Sequence, residues 1–362
     1  MFTFYRNGIV GKKLLSLHRL YSTQTCNYGI CLDIDGVLIK GRKALPQAKK
    51  ALSFLSGENV LQKKIPFLLL SNGGGMTEAK KAADLTRTID FPISPQQLVL
   101  SHTPMQSLVS KYQESMVLVV GGTGDLCAEV AKSYGFKRVV IPEDVLRWEP
   151  SIWPLAPIMK EIAEAPRYDF SKEAIQVVMV LHDSYNCQYR WGRDIQIMLD
   201  VLQSKNGYIG TLTPETEEIL HQIPLYFSNP DFIWSNEFPI PRFGQGAFRI
   251  AFESIYSEAT GRKLKYELFG KPETSTYRYA ERLLADQTYE IYKRRILPKH
   301  VYAVGDNPAA DIAGANAHNW NSILVRTGVF EGKDNDAQFP ADHVAQDVFE
   351  AVEYMFHQEE GR

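Results

Sequence analysis

Apolar residues along this chain fall into two patterns. Short unbroken runs end in polar or glycine-rich turns, and between them lie segments whose apolar positions recur every three or four residues. The runs read as strands buried on both faces and the periodic segments as helices covering them, which is how a parallel α/β sheet is written. Residues 28–32 form such a run and end in Asp33-Ile34-Asp35-Gly36. Residues 48–55 place Ala51, Leu52 and Leu55 on one helical face. A second run, 65–70, ends in Ser71-Asn72-Gly73-Gly74-Gly75, ahead of a helix starting near Thr77. Strand, helix, strand in this order implies a right-handed crossover and a parallel pair, so both strand ends open on one crevice. The amides starting the Thr77 helix face that crevice and suit a phosphate.

The middle of the chain repeats the pattern. Residues 116–120 lead into Gly121-Gly122-Thr123-Gly124, a helix through Tyr134 and a strand at 137–141. That glycine turn has the look of a dinucleotide site, but Cys127 holds the place of the third glycine, and tight packing of the turn accounts for it equally. Residues 142–166 carry five prolines with Trp148 and Trp153 and read as a long irregular connection. A strand at 174–181 delivers His182 and Asp183, a helix follows around 194–199, and a strand at 225–227 delivers Ser228-Asn229-Pro230-Asp231. These elements make a self-sufficient sheet, so residues 102–242 read as an inserted domain of ordinary size. The last third returns to the opening pattern: a helix at 248–259, an apolar run 266–269 before Gly270-Lys271-Pro272, and a strand at 301–304 ending in Gly305-Asp306-Asn307 with Asp311 beyond. A strand at 322–325 and a helix around 349–355 close the chain. Residues 22–101 and 243–362 would thus build one discontinuous α/β domain around the insertion.

Composition narrows the class. The chain has 362 residues, 44% hydrophobic and 11% aromatic, with a net charge of −2. This is globular composition, without the basic excess that a generic grip on nucleic acid requires, and no apolar run is long enough to span a membrane. Four cysteines, Cys26, Cys31, Cys127 and Cys187, show no metal-ligand spacing and read as reduced thiols. The first 32 residues contain no acid, while Arg6, Lys12, Lys13 and Arg19 alternate with aliphatic residues. That is the composition of a mitochondrial transit peptide, and Arg19-Leu20-Tyr21-Ser22 reads as a processing site that leaves residues 1–21 behind in the matrix. Losing those cations makes the remainder more acidic, which suits a soluble enzyme better than a peripheral membrane clamp.

The strand ends together supply Asp33, Asp35, Ser71, Asn72, Lys271, Asp306 and Asp311. Paired carboxylates repel and are costly to desolvate unless a cation compensates. Lys271 is one such cation, and hard oxygen ligands without histidine or cysteine select Mg²⁺ as another. A single aspartate after a strand often only caps the next helix. Four at the ends of apolar runs, with a lysine between, are hard to produce by packing alone.

This ordered set resembles the haloacid dehalogenase-like hydrolase superfamily, whose four motifs match Asp33-Ile34-Asp35-Gly36-Val37, Ser71-Asn72, Lys271, and Gly305-Asp306-Asn307 with Asp311. The insertion is similar to the class IIA (C2-type) cap of nitrophenyl phosphatases, with Val119-Val120-Gly121-Gly122 and Asn229-Pro230-Asp231 at its landmarks. With Leu181-His182-Asp183-Ser184 and the transit-like start, the nearest likeness is to mitochondrial hydrolases of the cat eye syndrome critical region protein 5-like group. The resemblance covers about residues 28 to 358 and implies a Rossmann-like, doubly wound core with an α/β cap. It implies Asp33 as nucleophile, Asp35 as general acid and base, Lys271 neutralising charge, and Ser71 and Asn72 on the phosphoryl oxygens. Mg²⁺ would sit on Asp33, the Asp35 carbonyl and Asp306, with Asp311 nearby. The expected substrate is a small phosphorylated metabolite, with glycerophospholipid precursors among the candidates and His182, Asp183, Asn229 and Asp231 as cap contacts. Class relatives also form homodimers through the cap. Two other readings compete: a non-catalytic binding or scaffold protein that kept the fold, and a nucleotide-dependent oxidoreductase built on the middle domain.

Overall fold

The computed structural model describes residues 26–154, 165–184, 190–214, 222–296 and 298–361. The expected transit segment, 1–21, and Cys187 lie outside them. Strand β1 (Gly29–Leu32) is buried along its whole length. A small hairpin, β2 (Ile39–Lys40) and β3 (Lys43–Ala44), follows, then helix α1 (Ala48–Leu55), β4 (Phe67–Leu70), α2 (Glu78–Ile89) and β5 (Leu98–Val99). The chain then leaves for a second sheet through α3 (Val109–Tyr112), β6 (Met116–Gly122), α4 (Leu126–Tyr134), β7 (Arg138–Val140), α5 (Pro142–Trp148), β8 (Val177–Ser184), α6 (Arg190–Gln203) and β9 (Leu225–Phe227). A two-stranded ribbon, β10 (Ile233–Trp234) with β11 (Arg242–Phe243), precedes α7 (Gln245–Thr260) and β12 (Glu267–Leu268). The return to the first sheet runs through α8 (Thr274–Tyr292), β13 (Val301–Gly305), α9 (Ala313–Ala317), β14 (Asn321–Val325), β15 (His343–Ala345) and α10 (Val348–Glu360).

The first sheet has the order β15-β14-β13-β1-β4-β5, all parallel. From β1 the chain winds outward through β4 and β5 on one side, and much later through β13, β14 and β15 on the other. The reversal falls at β1, and the carboxyl end of that strand is where an open parallel sheet leaves its crevice. Alternate residues serve the two faces. Ile30, Leu32 and Leu69 join α1 and α10 in one core, while Cys31, Leu68 and Leu70 pack against Tyr277, Ala280 and Leu284 of α8 in the other.

The second sheet, β12-β9-β8-β6-β7, is also parallel. Leu118, Val120, Val178 and Val180 face α6 and α7, and Val117, Val119 and Met179 face α4. This sheet corrects the expected insert boundary at 242. Phe248, Phe252 and Tyr256 of α7 lie in the second sheet's core, and Glu267 and Leu268 pair with Tyr226 and Phe227. The inserted unit therefore extends through β12, one helix and one strand beyond the boundary read from the sequence. Apolar periodicity marks α7 as a helix without saying which sheet it covers.

Two local expectations also change. The proline-rich connection begins as helix α5, because Pro142 sits in the first turn, where its missing N–H is no loss. Asp144 Oδ2 accepts from the Ile141 amide at 3.0 Å to close that turn. At the glycine-rich end of β6, a Cβ on Gly121 (φ +111°) would collide with the His182 carbonyl. The glycine lets two strands approach, which is the packing role rather than the dinucleotide one.

Candidate active site

All eleven residues singled out in the sequence line one cavity of about 470 Å³ between the two sheets. Asp33 and Asp35 come from the end of β1, Ser71 and Asn72 from β4, and Asp306 and Asp311 from the end of β13 and the turn after it. Lys271 follows β12. Asn229 and Asp231 follow β9, and His182 and Asp183 lie within β8 rather than past its end.

Lys271 organises the floor. Its Nζ lies 2.6 Å from Asp33 Oδ1, 2.6 Å from Asp311 Oδ1 and 2.8 Å from the Leu70 carbonyl. Its main chain is held as firmly: the Lys271 N–H donates to Asn72 Oδ1 at 2.6 Å, and Asn72 Nδ2 donates to the Lys271 carbonyl at 2.9 Å. Asn72 thus locks the Lys271 loop to β4. Burial alone would pull the ammonium's pKa down, but Asp311 and Asp33 outweigh it and hold it well above its ordinary value. Ser71 Oγ accepts from the Gly73 amide at 2.9 Å, which shapes the turn between β4 and α2.

Asp306 is cradled differently. The Val329 amide donates to its Oδ2 at 2.6 Å, and Gly36 (φ +87°) leaves room for the carboxylate, since a Cβ there would run into Oδ2. Asp311 Oδ2 accepts from the Asn307 amide at 3.0 Å. The Tyr277 hydroxyl braces this turn by donating to the Ala310 and Asp311 carbonyls. Carboxylate oxygens of Asp33, Asp306 and Asp311 lie within 4.8 Å of one another, and all three residues are buried. Burial pushes Asp33 up to about 8, with Lys271 pulling back and Asp311 and Asp35 adding to the rise. Asp306 is raised by burial and then by Asp33 and Asp311.

Two unit charges at the 4.8 Å limit of that cluster repel by about 3 kcal/mol at an effective dielectric of 20. One ammonium leaves this three-carboxylate group short of positive charge. Buried, oxygen-only and under-compensated, it fits a hard divalent cation.

Cap and core meet across the cavity. Asn229 Nδ2 donates to the Asn72 carbonyl at 2.7 Å, its Oδ1 accepts from the Asp231 amide, and its own amide donates to Gln245 Oε1. Asn229 is therefore engaged in tying the inserted unit to the core. Burial raises Asp231 to about 7, Lys271 opposing. His182 Nδ1 lies 2.8 Å from Asp183 Oδ1. Lys81, Trp234, Arg242, Phe243 and Gln245 also line the cavity and were missed in the sequence. Lys81, Trp234, Arg242 and Phe243 sit in a helix or ribbon whose pattern does not point to a site, and Gln245 is buried at the start of α7, so no local signal distinguishes them.

A family description, haloacid dehalogenase-like hydrolase, matches residues 30–137, and a second, HAD-hydrolase-like, matches residues 268–351. A mitochondrial hydrolase of Saccharomyces cerevisiae is 36% identical over 354 residues, covering 92% of this chain and 97% of its own. The chain is a haloacid dehalogenase-like hydrolase. This hydrolase is also 40% identical over 328 residues to a cardiolipin synthase (CMP-forming)/mitochondrial hydrolase fusion protein of Schizosaccharomyces pombe; 89% of the chain aligns, and it spans about half (51%) of the fusion's length. Its fold is similar to that of the p-nitrophenyl phosphatase of Archaeoglobus fulgidus (TM-score 0.57, 18% identity, 91% of this chain and 99% of that one). NagD of Escherichia coli K-12 is similar too (TM-score 0.56, 19% identity, 90% and 98%). The hydrolase therefore has the α/β core with an inserted cap that its motifs implied, and among the described residues no helix is long and apolar enough to cross a membrane.

Proposed function

We propose that this hydrolase is a Mg²⁺-dependent phosphatase that cleaves a small phosphorylated metabolite in mitochondria through a phosphorylated Asp33. The observation carrying this reading is the Asp33–Lys271–Asp311 chain of contacts at the switch point of the sheet, inside the cavity that the cap covers. A carboxylate held by an ammonium at a strand tip is positioned for in-line attack on phosphorus.

In the proposed cycle an Asp33 oxygen bonds to phosphorus as the bond to the leaving oxygen breaks, and Asp35 gives that oxygen a proton. Asp35, which faces the Ser71–Gly73 turn, then takes a proton from water. The resulting hydroxide displaces Asp33, freeing phosphate and restoring the carboxylate. Ser71 and the Asn72 amide bind the phosphoryl oxygens, and Lys271 neutralises the charge that builds between nucleophile and phosphate. Asp33, Asp306, Asp311 and the Asp35 carbonyl would hold Mg²⁺, which supplies charge compensation and orients the phosphate. The cap excludes water, with His182, Asp183 and Asp231 facing the substrate's leaving group.

The mitochondrial setting is supported by the names of the two relatives and by the acid-free basic start of the chain. The fused relative adds support for a role in glycerophospholipid metabolism. The test is hydrolysis of p-nitrophenyl phosphate by the purified protein with Mg²⁺. Activity should vanish in Asp33→Asn while the thermal midpoint is kept; turnover persisting in that variant removes Asp33 from its role.

A further inference from the structure

The ribbon at the mouth of the cavity is unusually apolar for a surface. Residues 232–243 read Phe-Ile-Trp-Ser-Asn-Glu-Phe-Pro-Ile-Pro-Arg-Phe. Four of their large side chains are exposed: Phe232 (50%), Phe238 (54%), Ile240 (64%) and Phe243 (65%). Single exposed apolar residues are ordinary, and Val60 and Leu212 are of that kind. Four within one short ribbon form a patch, and patches of this sort mark interaction surfaces. The rings of Phe232 and Phe243 pack at 5.5 Å, and the Arg242 guanidinium lies over Phe238 at 4.5 Å, so the patch is ordered from within.

Its charge says what it meets. The β2–β3 hairpin touches the ribbon at Asn236 and Glu237, where the Arg42 amide donates to Glu237 Oε1 at 3.1 Å, so a hairpin carrying Lys40, Arg42 and Lys43 adjoins a ribbon that carries Arg242. Glu237 is the single acid in the ribbon. A net charge of −2 over the whole chain hides this local cationic rim. Two copies meeting through the ribbon would set cations against cations. An anionic lipid surface satisfies both halves at once, taking the aromatic and aliphatic side chains at the acyl boundary and the cations at the headgroups.

We propose that the 232–243 ribbon, with the β2–β3 hairpin, docks this hydrolase on an anionic membrane surface. Ile233, Trp234, Arg242 and Phe243 line the cavity as well as belonging to the ribbon. Docking therefore turns the cavity mouth to the headgroups. Net charge weighs against a membrane surface, but it averages over the whole chain, whereas this proposal rests on cations and apolar side chains concentrated on one edge.

The test is sedimentation of the full chain with phosphatidylcholine vesicles, with and without one-third phosphatidylglycerol. The chain should bind the anionic vesicles and leave the neutral ones. The double variant Phe238→Ser/Ile240→Ser, whose positions lie outside the cavity lining, should partition at least tenfold more weakly with an unchanged thermal midpoint. Arg42→Glu/Lys43→Glu should weaken binding too. The first 25 residues are common to all these proteins, so any vesicle affinity of their own cancels. Equal partitioning of parent and Phe238→Ser/Ile240→Ser, no binding by the parent, or equal binding to neutral vesicles overturns the proposal. So does a dimer seen by light scattering that the double variant dissolves without any change in vesicle binding. Vesicle binding is read without catalysis, so it stands or falls apart from the phosphatase reading.

Discussion

Lys271 Nζ sits 2.6 Å from Asp33 Oδ1, although the two residues are 238 positions apart in the chain. The whole inserted unit lies between them in sequence. Its last strand, β12, ends at Leu268, three positions before Lys271, and Asn72 then grips the returning main chain from both sides. The lysine thus joins the cap's exit to the core's nucleophile.

Removing this ammonium leaves Asp33 and Asp311 buried against each other. Lys271→Gln should lower kcat/KM at least 100-fold, the scale for loss of a preorganised electrostatic group. It should also destabilise the fold by about 3 kcal/mol, since a buried ion pair broken on one side strands its partner. Steady-state kinetics and denaturant unfolding measure the two effects. Activity within tenfold of the parent would show that the lysine is only a structural counter-ion.

The carboxylate cluster makes a prediction of opposite sign for metal-free protein. Asp306→Asn keeps an oxygen for the Val329 amide while deleting one of three crowded buried carboxyl groups. Without divalent ions the variant should melt at or above the parent. Adding Mg²⁺ should raise the parent's midpoint, as a ligand bound only by the folded state must, and leave the variant's nearly unmoved. Chelation should abolish p-nitrophenyl phosphate hydrolysis in the parent and Mg²⁺ should restore it. A variant that gains as much from Mg²⁺ as the parent would take Asp306 out of the metal site.

Stability should fall on acidification through His102, which is fully buried where the chain leaves the core. Burial lowers its pKa to about 4, with Glu78 opposing and His182 adding to the drop. Its Nδ1 meets the Tyr134 hydroxyl at 2.7 Å, and that hydroxyl donates to Glu78. The unfolded chain takes up this proton near pH 6.5, above the folded value, so folding stability is full at neutral pH and is lost as pH falls from about 6.5 toward 4. Between pH 7 and pH 5 the contribution is about 2 kcal/mol. His102→Phe should flatten that part of the stability–pH curve measured by urea unfolding, whatever its effect at pH 7. An unchanged slope would mean that His102 is not the group responsible.

Much of the core was legible because its strands are buried on both faces and write themselves as unbroken apolar runs. The reactive residues follow those runs directly, so Asp33, Ser71 and Asp306 could be placed at strand ends before any contact was known. The insert's far edge was not legible, since α7 has the same amphipathic pattern whichever sheet it covers. Nor was α5, where proline density concealed a capped first turn.

By itself the sequence determined which residues are chemically able to act and that they would stand at the ends of parallel strands, because burial and side-chain period are properties of neighbours along the chain. Only the tertiary structure decided that Asn229 is spent on a tie to Asn72, that Tyr277 braces the Asp311 turn, and that an aromatic ribbon stands beside a basic hairpin at the cavity mouth. Those relationships join residues tens to hundreds of positions apart. They are set by which surfaces pack together, and no local pattern records that choice.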